Sequence, residues 1–141
     1  MTKVFTGLCG ILLCIFALVF FPISSSQCAA PPAGTVPLKV MTWNIQFGEG
    51  TDAITNYDRT AATIAAVNPD VVGLCEVPSD SAPVLQNLLS QKTGRTWFTH
   101  FVPKYNGTDE GNLILSWRPF ASTNSMFLSA SRSVAQVTIN I

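Results

Sequence analysis

The sequence predicts a mixed α/β fold, a single sheet of parallel and antiparallel strands with two helices on one face. Three observations predict it. A strand, a polar loop, a helix and a second strand follow one another within residues 38–77, the order of a parallel βαβ unit. A second stretch with apolar residues at helical spacing runs from Ser81 to the glycine at position 94. The remainder, to Ile141, is short β-rich runs separated by turn residues, which reads as antiparallel pairing.

Composition bounds the rest. A chain of 141 residues allows one domain at most, and 48% apolar residues exclude disorder. Met1-Thr2-Lys3 followed by a near-unbroken apolar run over residues 4–21 has the charged start and apolar middle of a secretory signal. The run is also long enough for a membrane anchor. Residues 1–28 are therefore expected to be a signal peptide or anchor, making the protein secreted or periplasmic, or membrane-anchored if the leader stays. Membrane contact is expected only through residues 4–21. Residues 29–37, with Pro31, Pro32, Gly34 and Pro37, read as a linker, and residues 38–141 as the folded part.

Three of the four cysteines, Cys9, Cys14 and Cys28, fall in or beside the leader, so no disulfide framework is available to the domain. Cys75 is expected to pack as a small apolar residue on the strand face opposite to Glu76. Without Lys3 the charge is seven basic against eight acidic residues, and no basic patch marks a tight binder of long polyanions. A metal-dependent phosphodiesterase needs no such patch, because the ion supplies the local positive charge.

In chain order, residues 38–47 alternate as a strand, with Val40, Thr42 and Asn44 on one face and Met41, Trp43 and Ile45 on the other. Tyr57 to Val67 carries Ala61, Ile64 and Ala65 at helical spacing, with Asn56 or Asp58 available as a cap. Asn68-Pro69 ends that helix. The run 70–77 is then a buried strand closing on a carboxylate, Glu76. Ser81 can cap the second helix, whose stripe is Val84, Leu85, Leu88 and Leu89 and whose stop is Gly94. Further strands are expected at 96–102, 113–117, 125–128 and 133–141, with turns at 106–107, 118–119 and 129–132.

Glu76 is the anomaly in this pattern. A carboxylate at the end of a buried strand has to be paired, hydrogen-bonded or metal-bound. Asn44 lies near the carboxyl end of the parallel partner strand, so both polar residues are expected at one edge of the sheet, the carboxyl ends where open α/β sheets bind ligands.

Three stretches, Met41-Thr42-Trp43-Asn44-Ile45-Gln46, residues 68–77 and Gly111-Asn112-Leu113-Ile114-Leu115-Ser116-Trp117, resemble the successive N-terminal motifs of the endonuclease/exonuclease/phosphatase superfamily. The resemblance runs from about residue 39 to Ile141 and includes the helix bearing Arg59. It implies a metal-dependent phosphoester hydrolase, here the N-terminal half of a four-layer α/β/β/α sandwich. It also implies that Glu76 and Asn44 are the catalytic and metal-site residues, with Mg²⁺ or Mn²⁺ as the ion. The expected substrate is a phosphoester, whether nucleic acid, phospholipid headgroup or small phosphodiester; no protein partner is expected. Mg²⁺ suits such residues, taking one or two carboxylates and completing its shell with water and phosphate oxygens.

The departure is in the family's C-terminal motifs, a threonine-histidine strand, an aspartate-x-asparagine loop and a final aspartate-histidine pair. None occurs here. The chain is accordingly expected to be an N-terminal fragment or a truncated form without the groups that activate the nucleophile. The alternative from another class is a non-catalytic secreted or membrane-tethered binding module on the same fold. His100 is expected to be structural, Arg59 a solvated helix residue, Asn112 and Ser116 to pack or hydrogen-bond near the site, and Asp109 and Glu110 to form a solvated turn. Asn106-Gly107-Thr108 is a glycosylation sequon.

Overall fold

A computed structural model describes residues 32–129 and 131–141. The expected leader over residues 1–28 lies outside the described residues, as do residues 29–31 of the linker. The rest of the linker forms a turn in which Thr35 N–H and Oγ1 both donate to the Pro32 carbonyl (3.1 and 2.7 Å). Among the described residues, no helix is long and apolar enough to cross a membrane.

The elements are β1 (Val40–Asn44), a 3-10 turn (Gln46–Gly48), α1 (Tyr57–Val67), β2 (Val71–Pro78), α2 (Ser81–Thr93), β3 (Phe98–Pro103), β4 (Glu110–Ser116), β5 (Phe120–Ser129) and β6 (Arg132–Ile139). Strands β1-β2-β4-β3 form one mixed sheet, with β1 parallel to β2 and the other two pairs antiparallel. The expected strand–helix–strand unit is present, with Asn44 beside Cys75 at its carboxyl end.

Local chemistry explains the boundaries. β1 stops at Asn44, three residues before the sequence suggests, because two successive residues, Gln46 and Phe47, adopt positive φ angles (45° and 58°) and turn the chain out of the extended conformation. The Asn56 side chain caps α1 by accepting from Arg59 N–H at 3.0 Å. Asn68, at φ 51°, and Gly94, at φ 66°, end the two helices in the left-handed conformation. The second helix differs in detail. Asp80 takes the N-cap position without a side-chain bond, whereas Ser81 Oγ donates back to the Pro78 carbonyl at 2.7 Å. The buried stripe is Ser81, Ala82, Leu85 and Leu89, and Val84 faces solvent at 43% exposure.

The core lies between the helices and one face of the sheet. Ala61 and Ile64 of α1 and Leu85 and Leu89 of α2 meet Val72, Leu74, Val77, Leu113 and Leu115. Each fully buried large side chain contributes roughly 1.5–3 kcal/mol. Trp97 fastens the end of α2, donating from Nε1 to Thr93 Oγ1 at 2.9 Å while its carbonyl accepts from Gln86 at 2.7 Å.

The mixed sheet with its two helices is as expected, and the last two strands stand outside it. Pro119 cannot donate to a ladder, and after it β5 and β6 pair only with each other. This ribbon lies over β3 and β4 on the face away from the helices. Phe120 meets the Phe98 ring, His100 Nε2 is 3.1 Å from the Asn124 carbonyl, and Asn112 reaches Ser133. His100 is thus structural, as expected. The same face of β1 stays open, with Thr42 and Asn44 exposed.

The opposite end of the sheet is tied by Asp70. Its carboxylate accepts from Lys39 N–H at 2.8 Å and Arg118 Nε at 3.3 Å, and its carbonyl accepts from Ser116 Oγ at 2.9 Å. Ser116 therefore lies at the end of the sheet far from Glu76, contrary to expectation, because antiparallel pairing sets it against Val71. The Lys39 N–H first, and then Arg118, hold the Asp70 carboxyl below its usual 3.8 against the opposing effect of burial. A carboxyl depressed by folding stabilises fully above its unfolded pKa and loses that contribution as pH falls through the folded value. Stability should therefore fall below about pH 4, and Asp70→Asn should make the decline less steep in urea unfolding; an unchanged slope contradicts this anchor.

Candidate functional site

The site is made by one irregularity in β2. The antiparallel register with β4 runs Leu74 to Leu113 and resumes at Val77 to Gly111, so Cys75 and Glu76 together oppose Asn112. This is a β-bulge, and Glu76 sits in it at φ 55°. A non-glycine residue in this region costs about 1–2 kcal/mol. The consequence is a change of face. Strict alternation from Val72 and Leu74 would turn Glu76 under the helices and Val77 away from them. Instead Val77 is fully buried in the core and Glu76 is half-buried on the open side.

The bulge corrects the expectation for Cys75. It is exposed and lines the same cleft as Glu76, rather than packing on the opposite face. The cleft, of about 240 Å³, also has Lys104, Glu110, Gly111, Asn112 and Arg132 in its walls. Gly111 is required there, since a Cβ would collide with the Val102 carbonyl and the Phe101 ring. Lys104 Nζ pairs with Glu110 Oε1 at 2.9 Å. The Asn112 amide makes long contacts, 3.4 Å, to Ser133 O and Oγ, linking β4 to the start of β6. Among the described residues, the Glu76 carboxylate has no hydrogen bond or ion pair.

Asn44 is placed differently. It ends β1 at the same edge of the sheet, where the adjoining Ile45 N–H donates to the Cys75 carbonyl at 3.1 Å. Its side chain, however, lines a neighbouring depression with Trp43, Gln46, Glu49 and Gly50. Oδ1 accepts from Gln46 N–H at 3.0 Å, an Asx turn, and this leaves the amide NH₂ as a donor. The loop beside it is braced by Arg59, which donates to Asp52 at 2.9 and 3.2 Å and to the Ile54 carbonyl at 2.8 Å. The Arg59 guanidinium, with help from the Ile54 backbone, draws the Asp52 carboxyl down to about 2. Arg59, expected to be a solvated helix residue, is instead committed to this loop.

The donor set fits a hard divalent cation held mainly by water and ligand oxygens. It offers one unpartnered carboxylate in a polar cleft and a second nearby at Glu110, itself paired with Lys104; among the described residues no cluster of three His, Cys, Asp or Glu groups is present. Sequence reading missed Lys104, Glu110 and Arg132 as cleft residues, because Lys104 and Glu110 flank the β3–β4 connection and Arg132 opens a strand distant from it in sequence. It missed the bulge as well, although the slip of apolar positions from 72 and 74 to 77 signals it.

Residues 41–131 match the sequence model described as "Endonuclease/Exonuclease/phosphatase family". Among solved structures, an endonuclease/exonuclease/phosphatase from Beutenbergia cavernae is similar at 27% identity and TM-score 0.61, covering 74% of this chain and 34% of that one. A family protein from Leptotrichia buccalis gives 19% and 0.63, covering 74% and 49%. Mannosyl-6-phosphatase Bt3783 from Bacteroides thetaiotaomicron gives 17% and 0.51, covering 68% and 38%; these last two show likeness of fold alone. The chain spans about a third to a half of the length of these structures. No curated protein matches.

If the left-handed bulge is strained, Glu76→Gly should be more stable than Glu76→Ala by about 1 kcal/mol, because glycine accepts φ 55° without a Cβ penalty. Chemical unfolding measures the difference, and equal stabilities would contradict a strained Glu76.

Proposed function

The chain belongs to the endonuclease/exonuclease/phosphatase family, and on that premise we propose that it forms part of a divalent-metal-dependent phosphoester hydrolase. The observation that carries this reading is the unpartnered carboxylate of Glu76, presented to a polar cleft by a strained bulge. Backbone strain persists where the surrounding fold enforces it, and it concentrates at functional sites.

In this proposal Glu76 is the protein ligand to Mg²⁺ or Mn²⁺. The ion, when bound, supplies positive charge against the phosphate and acidifies water. The residues of this chain bind and orient. Asn44, its oxygen already committed to Gln46, holds the rim at the end of β1 and offers its NH₂ to a phosphate oxygen. Asn112, directly opposite the bulge, shapes the cleft wall. Water activation is assigned to the part of the family fold that this stretch does not span, since the matched residues cover only 34%, 49% and 38% of the three solved structures. Export is proposed as well, from the sequence of residues 1–28 alone.

Calorimetric titration with Mn²⁺ tests the reading. The chain should bind one ion, and Glu76→Ala should weaken binding by about tenfold or more. Undiminished affinity in that variant overturns the assignment of Glu76.

A further inference from the structure

We propose that the cleft beside Glu76 takes a terminal, dianionic phosphate, that of a phosphomonoester, and that Lys104 and Arg132 select for its second negative charge. The inference rests on the reading above, in which Glu76 holds a divalent cation.

The first argument is charge. The ionisable side chains that line the cleft are the acids Glu76 and Glu110 and the bases Lys104 and Arg132, apart from the thiol of Cys75. The two signs cancel, so a bound divalent cation leaves an excess of two positive charges. A phosphomonoester above its second ionisation, at a pKa of about 6, carries two negative charges, and a diester carries one. Charge imbalance is penalised more in a half-enclosed cleft than in water.

The second argument is donor supply. Lys104 spends one contact on Glu110 at 2.9 Å and has three N–H donors. Arg132 donates from Nη1 to the Ser131 carbonyl at 2.7 Å, and among the described residues its guanidinium meets no carboxylate. Most of its five donors remain. The two cations come from different turns, the β3–β4 connection and the start of β6.

The third argument is what surrounds the cleft. Polynucleotides bind through successive phosphate contacts to lysine and arginine. Here Arg59, Lys92 and Arg118 are paired with Asp52, Asp58 and Asp70. Lys39 and Arg95 are bonded to Val67 and Asn68, beside Asp70 at the opposite end of the strands. Among the described residues no row of free cations leads away from the cleft. Its volume, about 240 Å³, is enough to hold a phosphate.

Methyl phosphate and dimethyl phosphate, which differ by one charge at pH 8, form the matched test. Calorimetry of the whole chain in Mg²⁺ should show methyl phosphate binding about tenfold more tightly. Methyl phosphate should raise the affinity for Mg²⁺ by the same factor as Mg²⁺ raises its own. Lys104→Met and Arg132→Met should each shrink the preference severalfold without weakening the binding of Mg²⁺ alone, and Lys104→Arg should retain it. Mg²⁺ binding with no preference, or a preference untouched by both methionine variants, overturns the inference and leaves the Glu76 assignment standing. Absence of Mg²⁺ binding overturns both.

Discussion

The structure depends on the left-handed backbone of Glu76. Two residues of β2 oppose one of β4 at this point, and the face of every later residue in the strand is reversed. Leu74 and Val77 can then both enter the core, although three positions apart, and a carboxylate reaches the open side without passing under the helices. A regular strand would have to bury Glu76 beside Leu85 and Leu89 or surrender Val77 to solvent. Either alternative costs more than the roughly 1–2 kcal/mol of a strained φ.

The two faces of the sheet have separate tasks. The helix-covered face holds the apolar core and supplies most of the stability. The other face carries the polar chemistry: Asn44 and Glu76 at the strand ends, Asn112 opposite the bulge, and the β5–β6 ribbon bringing Arg132 to the cleft. The ends of the strands are divided in the same way. Asp70 and Ser116 close the far end with hydrogen bonds to backbone and Arg118, whereas Glu76 is left unpaired among the described residues.

Much of the fold was legible in the sequence, because its signals are local. Asn56 announces α1, Gly94 stops α2, and alternation identifies the inner residues of β1. The motif residues Asn44 and Glu76 came to one edge of the sheet because parallel pairing needs only the order of elements. What was not legible depends on pairing between distant strands. The bulge is a mismatch between β2 and β4, the separate ribbon follows from Pro119, and the cleft wall is drawn from Lys104, Glu110 and Arg132. Ser116 was misplaced for the same reason, since its motif neighbours do not reveal that an antiparallel strand carries it away from Glu76.

The central claim is that the bulge presents Glu76 to a divalent cation. Paramagnetic broadening of amide resonances by substoichiometric Mn²⁺ tests it most directly, since the effect falls steeply with distance from the ion. The account predicts early loss of the signals of Cys75, Glu76, Val77, Gly111 and Asn112, with Asp52 and Asp58 unaffected. Broadening centred on Asp52, Asp58 or Asp109, with the bulge still sharp, would contradict it.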